Sequence, residues 1–142
     1  MGTRVRGECL CSSVAFSIEG PFRGFQYCHC TRCRKQSGSA HVANVFVPPE
    51  QFRWERGESE VQRYDLPGTK YWCTAFCKRC GSPMPWLNKP GTAFVVAAGA
   101  LDGDPGARPS SVVYFASRAP WYIPSSMLEM HEGSPNQGPP EA

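Results

Sequence analysis

The spacing of the cysteines constrains this chain more than anything else in it. Eight are present. Cys28, Cys30 and Cys33 form a C-x-C-x-x-C, followed at once by Arg34 and Lys35. Cys9 and Cys11 form a C-x-C, Cys77 and Cys80 form a C-x-x-C with Gly81 directly behind, and Cys73 stands apart. The N-terminus, Met1 to Glu8, has no apolar signal core, so the chain is expected to stay in the cytoplasm. Thiols there remain reduced, and clustered cysteines serve as metal ligands rather than as disulfides. Three thiolates at the spacing of Cys28, Cys30 and Cys33 can hold one zinc ion and leave its fourth position open. An open position separates a working zinc from a structural one.

A chain of 142 residues fits one domain. Glycine and proline number 14 each, which favours short strands joined by turns over long helices. No run of about 18 apolar residues occurs, so no membrane span is expected. The formal charge of +3 counts thiols as neutral. Seven thiolates contribute −7 and two zinc ions +4, which with the formal +3 leaves zero. Nucleic acid is therefore not an expected partner.

Val14, Phe16 and Ile18 alternate as in a half-buried strand, with Cys9 and Cys11 just ahead of it. Residues i and i+2 of a strand share a side but lie ~6.5 Å apart. Two sulfurs on one tetrahedral zinc lie ~3.8 Å apart, so the C-x-C needs a bend, which Gly7 is expected to supply. Gln36 to His41 reads as a small polar loop, and Val42–Val47 as a strand ended by Pro48 and Pro49. Further strands are expected over 52–56, 61–64, 94–99 and 112–115, the last two buried. A turn at Gly81 should aim backbone N–H groups at the sulfurs of Cys77 and Cys80. Trp121 and Tyr122 are expected to cap the core, and 132–142 to form a disordered tail.

The cysteine pairs allow two arrangements. Cys30 and Cys33 can join Cys77 and Cys80 as in a zinc ribbon, although the gap between them is long for one. Alternatively Cys9 and Cys11 join Cys77 and Cys80, leaving Cys28, Cys30 and Cys33 as a site of three thiolates. Cys73 can be a fourth ligand closing that site, a redox partner, or a small buried residue.

Beyond the cysteines, several motifs stand at matching positions: Gly7-x-Cys9-x-Cys11-x-x-Val14-x-Phe16, Cys28-His29-Cys30-x-x-Cys33-Arg34-Lys35-x-Ser37-Gly38, Phe76-Cys77-x-x-Cys80-Gly81-Ser82, Gly99-Ala100-Leu101-Asp102 and Ser117-Arg118-Ala119-Pro120-Trp121. On these the chain resembles the glutathione-dependent formaldehyde-activating enzymes, the GFA or CENP-V/GFA domain, from Gly7 to about Met130. The resemblance implies a mainly β fold, a β-tent of short antiparallel strands stapled by zinc with little helix, over residues 1–131. It implies a structural zinc on Cys9, Cys11, Cys77 and Cys80, and a catalytic zinc on Cys28, Cys30 and Cys33. It implies a carbon–sulfur lyase that adds a thiol, glutathione or similar, reversibly to formaldehyde or another small aldehyde, giving an S-hydroxyalkyl adduct. Relatives often carry a histidine where this chain has Val112. The alternative is a non-catalytic, zinc-stabilised interaction module on the same fold.

Zinc bearing several anionic sulfurs is a weak Lewis acid, which favours delivery of a thiolate over polarisation of a carbonyl. Arg32, Arg34, Lys35, Lys78 and Arg79 flank the cysteines and balance their charge. Arg34 and Lys35 are also candidates to receive the carboxylates of an acidic thiol, and Ser37 to hydrogen-bond it. His29 is expected behind the site and His41 as a candidate proton carrier, while Trp54, Trp72, Trp86 and Trp121 should form core and cleft wall.

Overall fold

A computed structural model describes residues 3–136. The tail expected over 132–142 lies mostly outside the described residues. Among the described residues the fold is mainly β: ten short strands in three sheets, with one short α-helix and several 3-10 turns. Strands β1 (Arg4–Glu8), β2 (Ala15–Glu19) and β5 (Phe52–Arg56) form an antiparallel sheet with β2 in the centre. Strands β3 (Gly24–Cys28), β4 (Val42–Val47), β8 (Trp86–Leu87), β9 (Phe94–Ala97) and β10 (Ser111–Val113) form the second sheet, in the order β10-β3-β4-β9-β8. A two-stranded ribbon, β6 (Val61–Asp65) with β7 (Cys73–Cys77), completes the set.

Strand β2 is the centre of the core, buried on both faces with Ala15 and Ser17 included, rather than half-buried as its apolar alternation suggests. Val14, Phe16 and Ile18 are buried with Val45, Val47 and Val96 of the second sheet, and with Ala75 and Cys77 of β7. Phe16 stacks on Phe52 at 5.9 Å between ring centroids, and Phe52 stacks on Phe94 at 3.8 Å. The two main sheets thus close on each other through their aliphatic and aromatic faces. Among the described residues no helix is long and apolar enough to cross a membrane.

Several expectations are corrected. Gly7 supplies no bend; it lies within β1, paired with Phe16. A Cβ there would meet the Ala100 carbonyl oxygen and the Phe16 ring, so close approach is what requires glycine. The bend comes after Cys9, where Ser12 adopts a φ of 65° and its N–H donates to the Cys9 carbonyl at 3.0 Å. The polar loop begins later than expected, because Thr31–Ser37 forms the helix α1, ended by Gly38 with a φ of 70°. Strand β10 pairs parallel to β3, an exception among otherwise antiparallel pairs, and it is an exposed edge rather than a buried strand. Tyr114, just after it, has a φ of 54° and is 67% exposed. Trp121 is 64% exposed and caps nothing; its neighbour Tyr122 packs edge-on against His29 at 4.8 Å.

Candidate metal centres and their cavity

Two turns bring the first cysteine cluster together. Cys9 and Cys11 sit in the turn that leaves β1, closed by the Cys9 N–H donating to the Val14 carbonyl at 3.0 Å. Cys77 ends β7, and Cys80 follows in a turn closed by the Gly81 N–H on the Cys77 carbonyl at 2.8 Å, with Gly81 at a φ of 77°. The sulfurs of Cys9 and Cys11 lie 3.7 Å apart, and those of Cys11 and Cys77 lie 3.9 Å apart. A tetrahedral zinc with four thiolates requires ~3.8 Å. All four sulfurs lie within 4.8 Å of one another, so this donor set fits zinc. The hydroxyl of Ser13 and then the Cys80 backbone N–H hold the Cys77 thiol below its ordinary value. The Ser82 hydroxyl and backbone N–H draw Cys80 down to about 5. Such donors stabilise the thiolate form that a metal takes. Of the flanking cations, Lys78 donates to the Ser59 carbonyl and Arg79 pairs with Glu60.

The second cluster straddles a strand and a helix. Cys28 ends β3; Cys30 is the N-cap of α1, its sulfur accepting the Cys33 N–H at 3.3 Å; Cys33 lies in the first turn and faces inward. The three sulfurs lie within 4.8 Å of one another, again a spacing that suits one metal ion. Burial pushes the Cys33 thiol far up, with the charges of Cys28 and Cys30 adding to it, and burial likewise pushes Cys28 up. Burial also acts against ionisation of Cys30, but the Cys33 N–H and the thiols of Cys33 and Cys28 outweigh it and hold this thiol below its ordinary value. A divalent cation among the three is the partner that lets all of them ionise in a buried setting.

The three cysteines line a cavity of about 520 Å³. Its floor is one face of the five-stranded sheet: Gln26 and Cys28 from β3, Asn44 and Phe46 from β4, Val95 from β9 and Trp86 from β8. Opposite stand Arg32 of α1, Tyr71, Trp72 and Tyr114. Arg32 and Trp72 also line an adjoining cavity of about 440 Å³, with Lys35, Gln36, Tyr64 and Phe76. Trp72 and Trp86 are thus cleft wall, whereas Trp54 packs against the core.

The other candidates fall as follows. The Arg34 guanidinium donates to the Ser117 carbonyl at 3.0 Å, and the Ser37 hydroxyl to the Cys33 carbonyl at 2.7 Å. Lys35 lines the adjoining cavity rather than that of the cysteines. His29 is buried behind the cluster, between His41, Phe115 and Tyr122, and His41 stacks on Tyr27. Burial, and then the charges of His41, Arg118 and Arg34, keep His29 below the usual histidine range. Cys73 belongs to neither cluster; it is fully buried, and its sulfur accepts from Arg63 at 2.7 Å. Gln26, Asn44, Tyr71 and Tyr114 line the cysteine cavity without having stood out in the sequence. Strand alternation places Gln26 on the same side as Cys28, and that signal was available.

The family model of the glutathione-dependent formaldehyde-activating enzymes matches residues 4–117. A solved crystal structure of a Rhodobacter sphaeroides protein is similar with a TM-score of 0.60 at 19% identity, covering 76% of this chain and 99% of that one. At that identity the likeness concerns the fold. No curated protein matches the sequence significantly.

Proposed function

The chain belongs to the glutathione-dependent formaldehyde-activating enzyme family, and from that premise we propose that it catalyses the reversible addition of a thiol, glutathione or one like it, to formaldehyde or another small aldehyde. The product is an S-hydroxyalkyl adduct, and the reverse reaction cleaves a carbon–sulfur bond. One observation supports this reading above the rest. Cys28, Cys30 and Cys33 converge at a cavity, and among the described residues no fourth cysteine, histidine or carboxylate joins them. Four cysteines on the other cluster make a saturated set, suited to a staple.

Zinc on Cys28, Cys30 and Cys33 would hold the incoming thiol as its thiolate, the nucleophilic form. The chain's own residues do the rest. Phe46, Val95 and Trp86 form the apolar part of the floor, against which the carbon atoms of the reactants can pack. Arg32, at the junction of the two cavities, and Lys35, in the second, are placed to receive carboxylates of an acidic thiol. Arg34 and Ser37 act within the protein, tying α1 to Ser117 and to its own Cys33 carbonyl. Holding two reactants side by side in this cavity supplies much of the rate gain.

The experiment is ligand replacement with metal analysis. Zinc-loaded wild type should bind two zinc ions per chain and accelerate exchange between formaldehyde, glutathione and their adduct, followed by NMR. C30S should lose that exchange while keeping its fold and the zinc on Cys9, Cys11, Cys77 and Cys80. A C30S protein as active as wild type would reject the proposal.

A further inference from the structure

We propose that Asn44, with Gln26 beside it, receives the carbonyl oxygen of the aldehyde in the cavity of Cys28, Cys30 and Cys33. This inference rests on the thiol–aldehyde reading above. Asn44 is 8% exposed and points into that cavity from the middle of β4. Its amide makes no side-chain hydrogen bond with any described residue, and neither does that of Gln26. Among the described residues the buried side-chain nitrogens and oxygens without a partner are His29 Nδ1 and His41 Nδ1, so the Asn44 and Gln26 amides open onto the cavity, where a ligand can bond them. The neighbouring Asn88 shows what a satisfied amide looks like in this region: its Oδ1 accepts the Thr92 N–H at 2.8 Å.

The register places the pair where the reaction needs it. Asn44 lies directly opposite Gln26 on β3, and Cys28 lies two residues further along the same strand, opposite Val42. Asn44 and Cys28 are therefore diagonal neighbours on one face of the sheet, ~7–8 Å apart at the backbone. That gap matches a sulfur held near Cys28 that is bonded to a carbon whose oxygen reaches the amide. Phe46 and Val95 lie on the same floor and offer no hydrogen bond of their own, so the two amides are the polar groups of that patch.

The chemistry suits a neutral amide. The thiol sulfur bonds to the carbonyl carbon, the carbon–oxygen π bond breaks, and its electron pair moves to oxygen. The proton lost by the thiol ends on that oxygen. Negative charge develops at oxygen as the bond forms, and an Nδ2–H donor aimed there binds the transition state more tightly than the aldehyde. Once the oxygen is a hydroxyl it becomes a donor as well, and the Oδ1 of the same amide can accept from it. An amide therefore serves substrate and product alike, which neither a carboxylate nor a cation does.

The test replaces Asn44 with leucine of similar shape in the zinc-loaded full chain. N44L should lower kcat/KM for the formaldehyde–glutathione exchange by about 100-fold, the size of loss seen when one such donor is removed. Binding of glutathione alone, measured by calorimetry, should stay unchanged. The melting temperature should stay close to that of wild type, because the amide opens onto the cavity and makes no hydrogen bond within the protein. An N44L protein as active as an active wild type overturns the assignment and leaves the thiol–aldehyde reading standing. An N44L protein that melts well below wild type overturns it too, by showing that the amide holds the fold. A wild type with no exchange activity removes the parent reading, and this inference with it.

Discussion

Gly7 offers the sharpest test of how the fold is built. Alanine at this position would place its Cβ 2.5 Å from the Ala100 carbonyl oxygen and 2.5 Å from Phe16 Cζ. Comfortable contact requires ~3.5 Å or more, so about an ångström must be found on each side. Neither neighbour moves cheaply. The carbonyl belongs to the 3-10 turn Ala98–Ala100, whose successor Leu101 bridges back to Gly7. Phe16 is fully buried and stacked on Phe52, which is stacked on Phe94, so displacement travels down an aromatic column. Overpacking of this kind costs ~1–3 kcal/mol, and the better backbone propensity of alanine in a strand returns ~0.5–1 kcal/mol. A net loss of about 2 kcal/mol therefore sits at the upper end of what the two effects allow. With a urea slope of ~1.5 kcal/mol/M, that moves the unfolding midpoint down by ~1.3 M. The assay is urea unfolding of G7A beside G99A at one fixed free-zinc concentration. Nothing lies within 4 Å of a Cβ on Gly99, so G99A should lose no stability. G7A and G99A unfolding at the same midpoint would refute the steric account.

Two other outcomes follow from the structure. C77S removes a buried sulfur shared between Ser13 and the neighbouring cysteines, and structural metal binding is folding free energy, so C77S should melt far below both wild type and C30S; equal melting curves would count against the staple. The carboxylate of Asp104 is held down to about 2, first by Arg108 and then by the Gly106 N–H, from an ordinary value of 3.8. Its folded value is depressed, so its contribution is present above pH ~4 and is lost as pH falls toward 2. A carbon NMR titration should show that midpoint in wild type and its return toward 3.8 in R108A; an unmoved midpoint in R108A would disprove the pairing.

Much of this could be read from the sequence, for identifiable reasons. Val14, Phe16 and Ile18 were legible because strand alternation survives in them, and Val42–Val47 because prolines end it. The helix Thr31–Ser37 was not legible. It is too short to show a helical period, and its N-cap is the sulfur of Cys30, outside the usual Ser, Thr, Asp and Asn set. Val112 and Val113 read as a buried strand because a pair of valines cannot say which side of a sheet edge faces solvent. The two cysteine clusters followed from spacing only as alternatives, and the resemblance selected between them. The floor of the cavity was hidden for a different reason. Gln26 and Asn44 are ordinary polar residues until strand pairing sets them side by side.

The parallel pairing of β10 with β3 also bears on the order in which the protein is made. Val113 sits in register with Cys28, and the His29 N–H donates to the Val113 carbonyl at 3.0 Å. One flank of the three-thiol cluster is thus supplied by β10, the last strand among the described residues. Until Ser111–Val113 is made, β3 has no partner on that side and Cys28 ends an open sheet edge. A chain ended ahead of Ser111 would keep Cys9, Cys11, Cys77 and Cys80 but lose the strand that pairs beside Cys28.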